Sequence, residues 1–381
     1  MKKKIVASIG LIMSVSFIAI VSCKKKDDTA AVKPDFDRQA MLANIGSNLI
    51  VPSYNNLKIT TAALQTAVQD FNNNTDSSHL VVVQNAWKDA VNAWKSCESF
   101  TFGFEADSML SDNIDYWPAN GPVIETEISG TAILSQTHIN TSGSSRKGFS
   151  AIEYLIFDKV NGDASLVTNY TTAANASRRK DYLKALADNI KSKSESCYNS
   201  WATGGYLATF QSSTGTDITS STGIVLNQMI VTLEVVINNK IGYPLGMKTS
   251  GAIQPNSVEA PLSDASLAMI RNNVKALENT FLGKSFSLNG TGADNSGFDD
   301  YLNYAGAQYN GGKLTDAINA QFADFYSKLD AIPPPLQHAV ASNKTQVTAA
   351  YNSLKQLLVL MKADMASSLG ITITFSDNDG D

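Results

Sequence analysis

The chain has 381 residues and a formal net charge of −5, and 43% of its residues are hydrophobic. Hydrophobic content at this level, with only 10 prolines, excludes a mainly disordered chain and is typical of a folded helical protein. The acidic balance and the lack of a basic cluster in the main part of the sequence argue against nucleic acid as a partner.

The N-terminal segment predicts export and a lipid anchor. A basic start, Met1–Lys4, precedes a short apolar run over residues 5–21, and Cys23 follows soon after. The run is too short for a membrane span, so residues 1–23 are expected to be a signal peptide. The pattern resembles a bacterial lipoprotein signal in which Cys23 carries the lipid. We therefore expect an outer-membrane lipoprotein of the cell envelope, anchored on its periplasmic or external face.

A tether over residues 24–34 follows the signal and begins with lysines and aspartates. It resembles the tag of surface-exported lipoproteins in the Bacteroidetes, and it also fits a simple solvated linker. Helical periodicity dominates after this tether and predicts an all-α fold of two packed bundles with long kinked helices. The bundles are expected over residues 35–210 and 211–376, with an acidic tail at 377–381.

Two local features of this region make sharper predictions. Pro52 lies inside the first helical pattern, where it should kink or break the helix. Residues 371–375 alternate in the way that is typical of a strand, and they are the one such segment in the sequence.

Three glutamates interrupt apolar helical surfaces and are the best site candidates. Glu153 lies between Phe149 and Ile156, Glu234 lies inside a long apolar helix, and Glu98 continues a core-facing stripe. Burying a carboxylate is costly unless it is paired, hydrogen-bonded or bound to a metal. In helix bundles, facing carboxylates form iron or manganese sites, since oxygen ligands suit hard cations. The alternative is that each carboxylate pairs with Arg or Lys, or caps a helix.

The histidines argue against a conventional zinc protease. The chain has His79, His138 and His338, and no two of them have the spacing of an H-E-x-x-H motif. A catalytic zinc commonly takes two or three histidines or an equivalent set. The run around Ser150 also lacks the second glycine and the leading strand of a serine-hydrolase nucleophile elbow.

Two cysteines remain if Cys23 is lipidated. Cys97 and Cys197 each lie on a helical apolar stripe, which favours two separate buried thiols. A disulfide in the oxidising envelope is the alternative.

The sequence resembles imelysin-like proteins at several positions. The run Gly148–Leu155, GFSAIEYL, resembles their G-x-H-x-x-E motif, with Ser150 in place of the histidine. The spacing of Trp87, Trp94 and Glu98 also resembles the family pattern. The family is filed among metallopeptidases, and several members are envelope proteins tied to iron uptake.

This resemblance implies a set of site residues. Gly148 and Ser150 belong to the motif, and Glu153 is its glutamate. Asp115 and Asn120 lie in a loop that resembles the family segment before the motif, from which they could reach the site. As turn-forming residues they need no such role. A hydroxyl is a poor ligand for a transition metal beside an imidazole.

The resemblance also implies a function. The leading hypothesis is a non-enzymatic envelope lipoprotein that binds a metal ion, iron above all, or a metal-bearing ligand in iron acquisition. Its partners would be the membrane, through the lipid, and iron-uptake or other envelope proteins. The alternative is a surface binding or scaffold module whose site has decayed. A metal-dependent peptidase is the third reading, weakened by Ser150.

Overall fold

Alternating helices and short loops account for nearly all of the computed structural model, which describes residues 35–103, 106, 108–288 and 291–374. The predicted signal peptide, its Cys23, the tether and the tail at 377–381 lie outside the described residues. The all-α prediction is confirmed.

The first helix, α1, is long and irregular. It runs as Arg38–Asn44, a π-helical turn Ile45–Ile50, and Val51–Asn73. Pro52 lacks the N–H that would bond to the carbonyl of Asn48. That carbonyl instead accepts a hydrogen bond from the main-chain N–H of Phe286 at 2.7 Å. The helix therefore continues through the proline because a distant segment satisfies the group that the proline leaves open.

The other helices of the N-terminal half are all shorter than α1, and the longest of them are Ser77–Lys95 and Ala176–Ala202. They are α2 (Ser77–Lys95), α3 (Leu110–Ile114), α4 (Gly121–Ser129), α5 (Gln136–Thr141), α6 (Gly148–Ile156), α7 (Gly162–Thr171), α8 (Ala176–Ala202) and α9 (Tyr206–Ser212), with 3₁₀ turns at Glu98–Phe100 and Ser144–Arg146. Helix α1 packs along α2 and α8, and the motif helix α6 packs between α2 and α8. Trp87, Trp94 and Trp201 are buried in this bundle.

The C-terminal half has the same character. Its elements are α10 (Ser221–Val235, continued by a π-helical turn Val236–Gly242), a 3₁₀ turn Pro255–Ser257, α11 (Ser266–Phe281), α12 (Phe298–Ala305), α13 (Leu314–Asp330), α14 (Leu336–Ser342) and α15 (Lys344–Val359, a π-helical turn Leu360–Met365, and Ala366–Leu369). Helix α13 packs on α15 and α11, and α10 packs on both α11 and α15. Helix α11 also packs on α2, and this contact connects the N-terminal and C-terminal halves of the chain.

The strand prediction for residues 371–375 is wrong in its described part, 371–374, which forms no strand. The main chain of this segment bonds to Thr216 and to the side chain of Asn227 instead, so these partners satisfy its polar groups without a sheet. A two-residue antiparallel pair, β1 (Gln308–Tyr309) with β2 (Gly312–Lys313), was not predicted.

Helix α10 is the central element of the C-terminal half. Residues Ser221–Gly242 are long and apolar enough to cross a membrane, with a mean hydropathy of 1.3. However, 72% of that window is buried against other parts of the chain, as in a core helix. The described chain from Phe36 onwards forms one compact unit. The division into domains near residue 211 stays a prediction.

Candidate functional site

A group of charges that are buried or nearly buried lies where α2, α10 and α11 meet. Lys95, the last residue of α2, is completely buried. Its Nζ is 2.7 Å from Glu259 and 3.1 Å from Glu98, and it donates a short hydrogen bond to Asp115. One ammonium thus contacts three carboxylates, from the loop before α11, the 3₁₀ turn after α2 and the loop after α3.

A second buried lysine completes this group. Lys240, 1% exposed, is 3.1 Å from both Glu98 and Glu259, and it donates to Asn273 at 2.7 Å. Asn273 in turn donates to Glu98 at 2.8 Å. We call Lys95, Glu98, Asp115, Lys240, Glu259 and Asn273 the charge cluster. With three carboxylates and two ammonium groups its formal charge is −1, and isolated members would be costly to bury.

The charges in the cluster depend on one another. Burial raises the pKa of Asp115 to about 7, and Glu259 and Glu98 add to this, although Lys95 opposes it. Burial also acts against ionisation of Glu98, but Lys240 and Lys95 outweigh it and lower its pKa to about 2. For Lys95, the three carboxylates outweigh burial and raise its pKa well above the usual value. The ionised form of Asp115 therefore depends on the Lys95 ammonium beside it.

A small cavity of about 330 Å³ opens onto one side of the cluster, and we call it the cluster pocket. Its charged lining residues are Glu98, Asp112 and Asp115, with Tyr116 and Trp117 beside them. The indole ring of Trp117 lies 5.9 Å from Lys95 Nζ and 5.5 Å from Lys240 Nζ, measured to the ring centre. The pocket thus presents carboxylates to its interior while the two ammonium groups lie beneath them.

The motif helix α6 holds a loop of this pocket in place. Ser150 donates its hydroxyl to the main-chain oxygen of Tyr116 at 2.5 Å. At the start of α6, Gly148 has φ +80°, and a Cβ there would lie 2.6 Å from the carbonyl oxygen of Ile114. Only glycine allows this close approach without strain. Both predicted motif residues therefore position the loop that carries Asp115.

Glu153, from the same helix, holds a different loop. It is 3% exposed, and its Oε1 accepts hydrogen bonds from the N–H groups of Leu262 (3.0 Å) and Ser263 (2.7 Å) and from the Ser263 hydroxyl (2.7 Å). Burial raises the pKa of Glu153 to about 7 although these bonds oppose the rise. Ala260 and Asp264 in this loop have φ of +51° and +59°, which is uncommon for residues other than glycine.

The predicted carboxylates thus have separate partners. Glu98 and Asp115 meet in the charge cluster, whereas Glu153 bonds to the loop that carries Glu259. Glu234 is 2% exposed and pairs with Lys362 of α15 at 2.7 Å.

The side-chain oxygen of Asn120 accepts a hydrogen bond from the N–H of Val123 at 3.2 Å and caps the start of α4. This is the alternative given from the sequence, in which Asn120 forms a turn and has no role in a site. Glu153 and Glu234 are buried and Glu98 is 13% exposed, but the partners of Glu98 and Glu234 are lysines, as in the alternative in which each carboxylate pairs with Arg or Lys.

Four cluster residues were missed from the sequence: Lys95, Lys240, Glu259 and Asn273. A signal for two of them was present. Lys95 lies four residues after the buried Val91, and Lys240 lies four after the buried Val236, so both are cations on apolar helical stripes. Glu259 and Asn273 carried no comparable signal.

Within the described ranges, no group of three or more His, Cys, Asp or Glu side chains is arranged to hold a metal ion. The histidines are apart: His79 bonds to Asp76, His138 to Glu127 and His338 to Ser342. In the charge cluster, lysine ammonium groups occupy the positions around the carboxylate oxygens that a cation would take. This donor set does not fit a directly coordinated metal ion. Cys97 and Cys197 are both buried thiols.

Comparisons with known proteins assign the chain to a family. It is similar to iron-regulated protein A of Synechococcus elongatus, with 24% identity over 309 residues, 78% of this chain and 77% of that protein. Its fold resembles the crystal structure of a protein from Parabacteroides distasonis described as an iron-regulated protein A precursor (TM-score 0.71, 20% identity, 89% of this chain and 97% of that one). It also resembles that of an imelysin-like protein from Psychrobacter arcticum (TM-score 0.65, 17% identity, with the same coverage). The family model for imelysin, peptidase family M75, matches residues 50–361, and the chain therefore belongs to the imelysin family.

Proposed function

We propose that this imelysin-like chain is a non-enzymatic lipoprotein of the bacterial envelope that binds a metal-bearing ligand in iron acquisition. The link to iron is supported by the name of the relative, iron-regulated protein A. The envelope address is supported by the predicted lipoprotein signal that ends at Cys23.

The observation that carries the proposal is the lining of the cluster pocket. Glu98, Asp112 and Asp115 make its charged surface, so it favours a cationic ligand. Lys95 and Lys240 already contact the inner carboxylate oxygens. A metal ion that enters the pocket would therefore keep its own ligands or bound water, and the protein would contact those ligands through hydrogen bonds and electrostatic attraction. A cavity of about 330 Å³ is at the small end of ligand sites.

The same geometry supports a non-enzymatic role. Metal-assisted hydrolysis needs an ion with an open coordination position and a base beside it. The hydroxyl of Ser150 is engaged with the Tyr116 carbonyl, and the three histidines bond to residues outside the charge cluster. A surface scaffold with a decayed site is the second candidate, and the pairing of each cluster carboxylate with a lysine favours it.

The test uses the chain from residue 24, which keeps the whole compact unit that begins at Phe36. Ferrous iron, zinc and the exchange-inert complex hexaamminecobalt(III) are titrated by calorimetry, and retained metal is measured by mass spectrometry after gel filtration. We expect the cobalt complex to bind, because the protein would contact its ammine ligands and would not have to replace any of them.

The matched variants are Asp112→Asn, in the lining, and Asp181→Asn, an exposed aspartate on α8. Asp112→Asn should weaken binding by about tenfold, whereas Asp181→Asn should leave it unchanged. If none of the three probes binds, or if Asp112→Asn has no effect, the proposal is wrong and the scaffold reading is favoured.

A further inference from the structure

A larger cavity, of about 890 Å³, lies between α1, α2 and α11 and shares no lining residue with the cluster pocket. Its volume is in the range of small-molecule sites. Four side-chain amides are in its wall, from Asn56, Asn92, Asn272 and Asn279, and we call it the amide pocket. We propose that the amide pocket binds an uncharged, hydroxyl-rich small molecule, of the class of short oligosaccharides.

The hydroxyl groups in the lining set the first requirement on a ligand. Ser53, Thr60 and Ser96 each donate to a main-chain carbonyl of the preceding helical turn, at 2.7, 3.0 and 3.0 Å. A hydroxyl has one proton to donate and two lone pairs. These three groups can therefore only accept from a ligand, which must supply several donors.

The amides set the second requirement. Asn272 donates to the oxygen of Asn92 at 2.8 Å, which leaves the amide nitrogen of Asn92 and the oxygen of Asn272 for a ligand. The amide oxygen of Asn279 is buried without a hydrogen-bond partner among the described residues. A ligand that donates to this oxygen would therefore replace no existing hydrogen bond. Adjacent donors and acceptors match hydroxyl groups, which both donate and accept.

The charges in the wall disfavour an ionic ligand. Arg271 pairs with Asp330, and Lys275 pairs with Glu278 at 2.7 Å. An anion would have to compete with these carboxylates, and an amine would be repelled by the two cations. Asp89 is the third charged residue of the lining, so the lining has charges of both signs, and the carboxylates that pair with its two cations lie outside it. Such a balance favours a neutral molecule over a charged one.

Apolar surfaces lie around the polar lining. Phe286 and Tyr326 are part of the wall, and Phe286 is fixed by its hydrogen bond to the Asn48 carbonyl that Pro52 leaves open. Ile59 and Leu288, also in the lining, are 57% and 79% exposed. Aromatic and aliphatic surfaces beside amides suit a molecule with both C–H faces and hydroxyl edges, as a sugar has.

The experiment titrates the chain from residue 24 with neutral oligosaccharides of glucose, mannose, galactose and N-acetylglucosamine. Spermidine and an oligogalacturonate serve as charged probes, and binding is measured by calorimetry. The variants are Asn272→Ala and Asn56→Ala, and Asn85→Ala, an exposed amide of α2 outside the lining, is the matched control. The Asn56 side chain makes no hydrogen bond to a described residue, so its variant tests binding even if Asn272→Ala folds poorly.

We expect at least one neutral oligosaccharide to bind, with affinity about tenfold weaker in Asn272→Ala and Asn56→Ala and unchanged in Asn85→Ala. Three results would overturn the proposal. The neutral sugars do not bind at millimolar concentration, a charged probe binds more tightly than any of them, or the two lining variants bind as well as the control. Binding of the cobalt complex at the cluster pocket is measured separately, so the two proposals can fail independently.

Discussion

Replacing Glu153 with glutamine should stabilise the protein at neutral pH, although it removes a buried charge. Burial raises the pKa of Glu153 from 4.5 to about 7 in the folded chain, despite three hydrogen bonds from Leu262 and Ser263. Each pKa unit corresponds to about 1.4 kcal/mol, so the full difference is about 3 kcal/mol. Glutamine keeps an acceptor oxygen for the same three donors and carries no charge.

The sign of the pH dependence follows from this raised pKa. Between pH 4.5 and about 7 the unfolded chain has released the Glu153 proton while the folded chain still holds it. Stability is therefore lost as pH rises through this window, and the loss levels off above it. The Glu153→Gln variant does not share this loss, so its advantage over the wild type should grow by about 2–3 kcal/mol between about pH 5 and pH 8.

Urea unfolding followed by tryptophan fluorescence at several pH values measures this difference directly. Other titrating groups, such as Asp115, are common to both proteins and cancel in the comparison. Glu234→Gln is the control for a buried glutamate replaced by glutamine, because it removes the charge that Glu234 contributes to its ion pair with Lys362 and should destabilise. If the wild type and Glu153→Gln keep a constant difference across this pH range, Glu153 does not titrate there and the reasoning is wrong.

Three further changes test the structural argument. Gly148→Ala places a Cβ 2.6 Å from the Ile114 oxygen at φ +80°. Its control, Gly162→Ala, has φ +77° with open space around the Cβ and should lower the free energy of unfolding by about 1–2 kcal/mol. Urea unfolding should show a larger decrease for Gly148→Ala. Lys95→Met removes the cation that contacts all three carboxylates of the cluster, so it should lower the free energy of unfolding by about 3–5 kcal/mol. Urea unfolding close to that of the wild type would contradict this prediction. Cys23→Ala should abolish fatty-acid labelling in cells and release the protein from the membrane fraction, and persistent labelling would contradict the anchor.

Periodicity in the sequence was enough to find most long helices and the buried glutamates. Trp87 and Trp94 are buried on the core-facing stripe that Glu98 was predicted to continue, and Glu153 and Glu234 are 3% and 2% exposed. A stripe identifies the face of a helix that is buried, because side chains three and four residues apart lie together. It also placed Glu98 on the core side, although α2 ends at Lys95 and Glu98 lies in the following 3₁₀ turn.

The partners of these residues could not be predicted in the same way. Lys240 meets Glu98 across 142 residues of sequence, and Leu262 meets Glu153 across 109. Helical spacing carries no information about such pairs, since they depend on how separate helices dock. The hydrogen bond from Phe286 to the Asn48 carbonyl, near Pro52, is of the same kind, because Phe286 is far away in the sequence. The antiparallel pair of Gln308–Tyr309 and Gly312–Lys313 is local instead, and strands of two residues are too short to show an alternating pattern.

The motif helix acts, in this chain, as a support for two loops. Gly148 and Ser150 hold the loop that supplies Asp115 to the charge cluster, through contacts with Ile114 and Tyr116. Glu153 holds the loop that supplies Glu259, through Leu262 and Ser263. Ser150, which stands where the family resemblance places a histidine, contributes to this support by donating a hydrogen bond to the main-chain oxygen of Tyr116. Lys95 and Lys240 already contact the carboxylates of the charge cluster, which is why the cluster pocket is proposed to bind a complete metal complex rather than a coordinated ion.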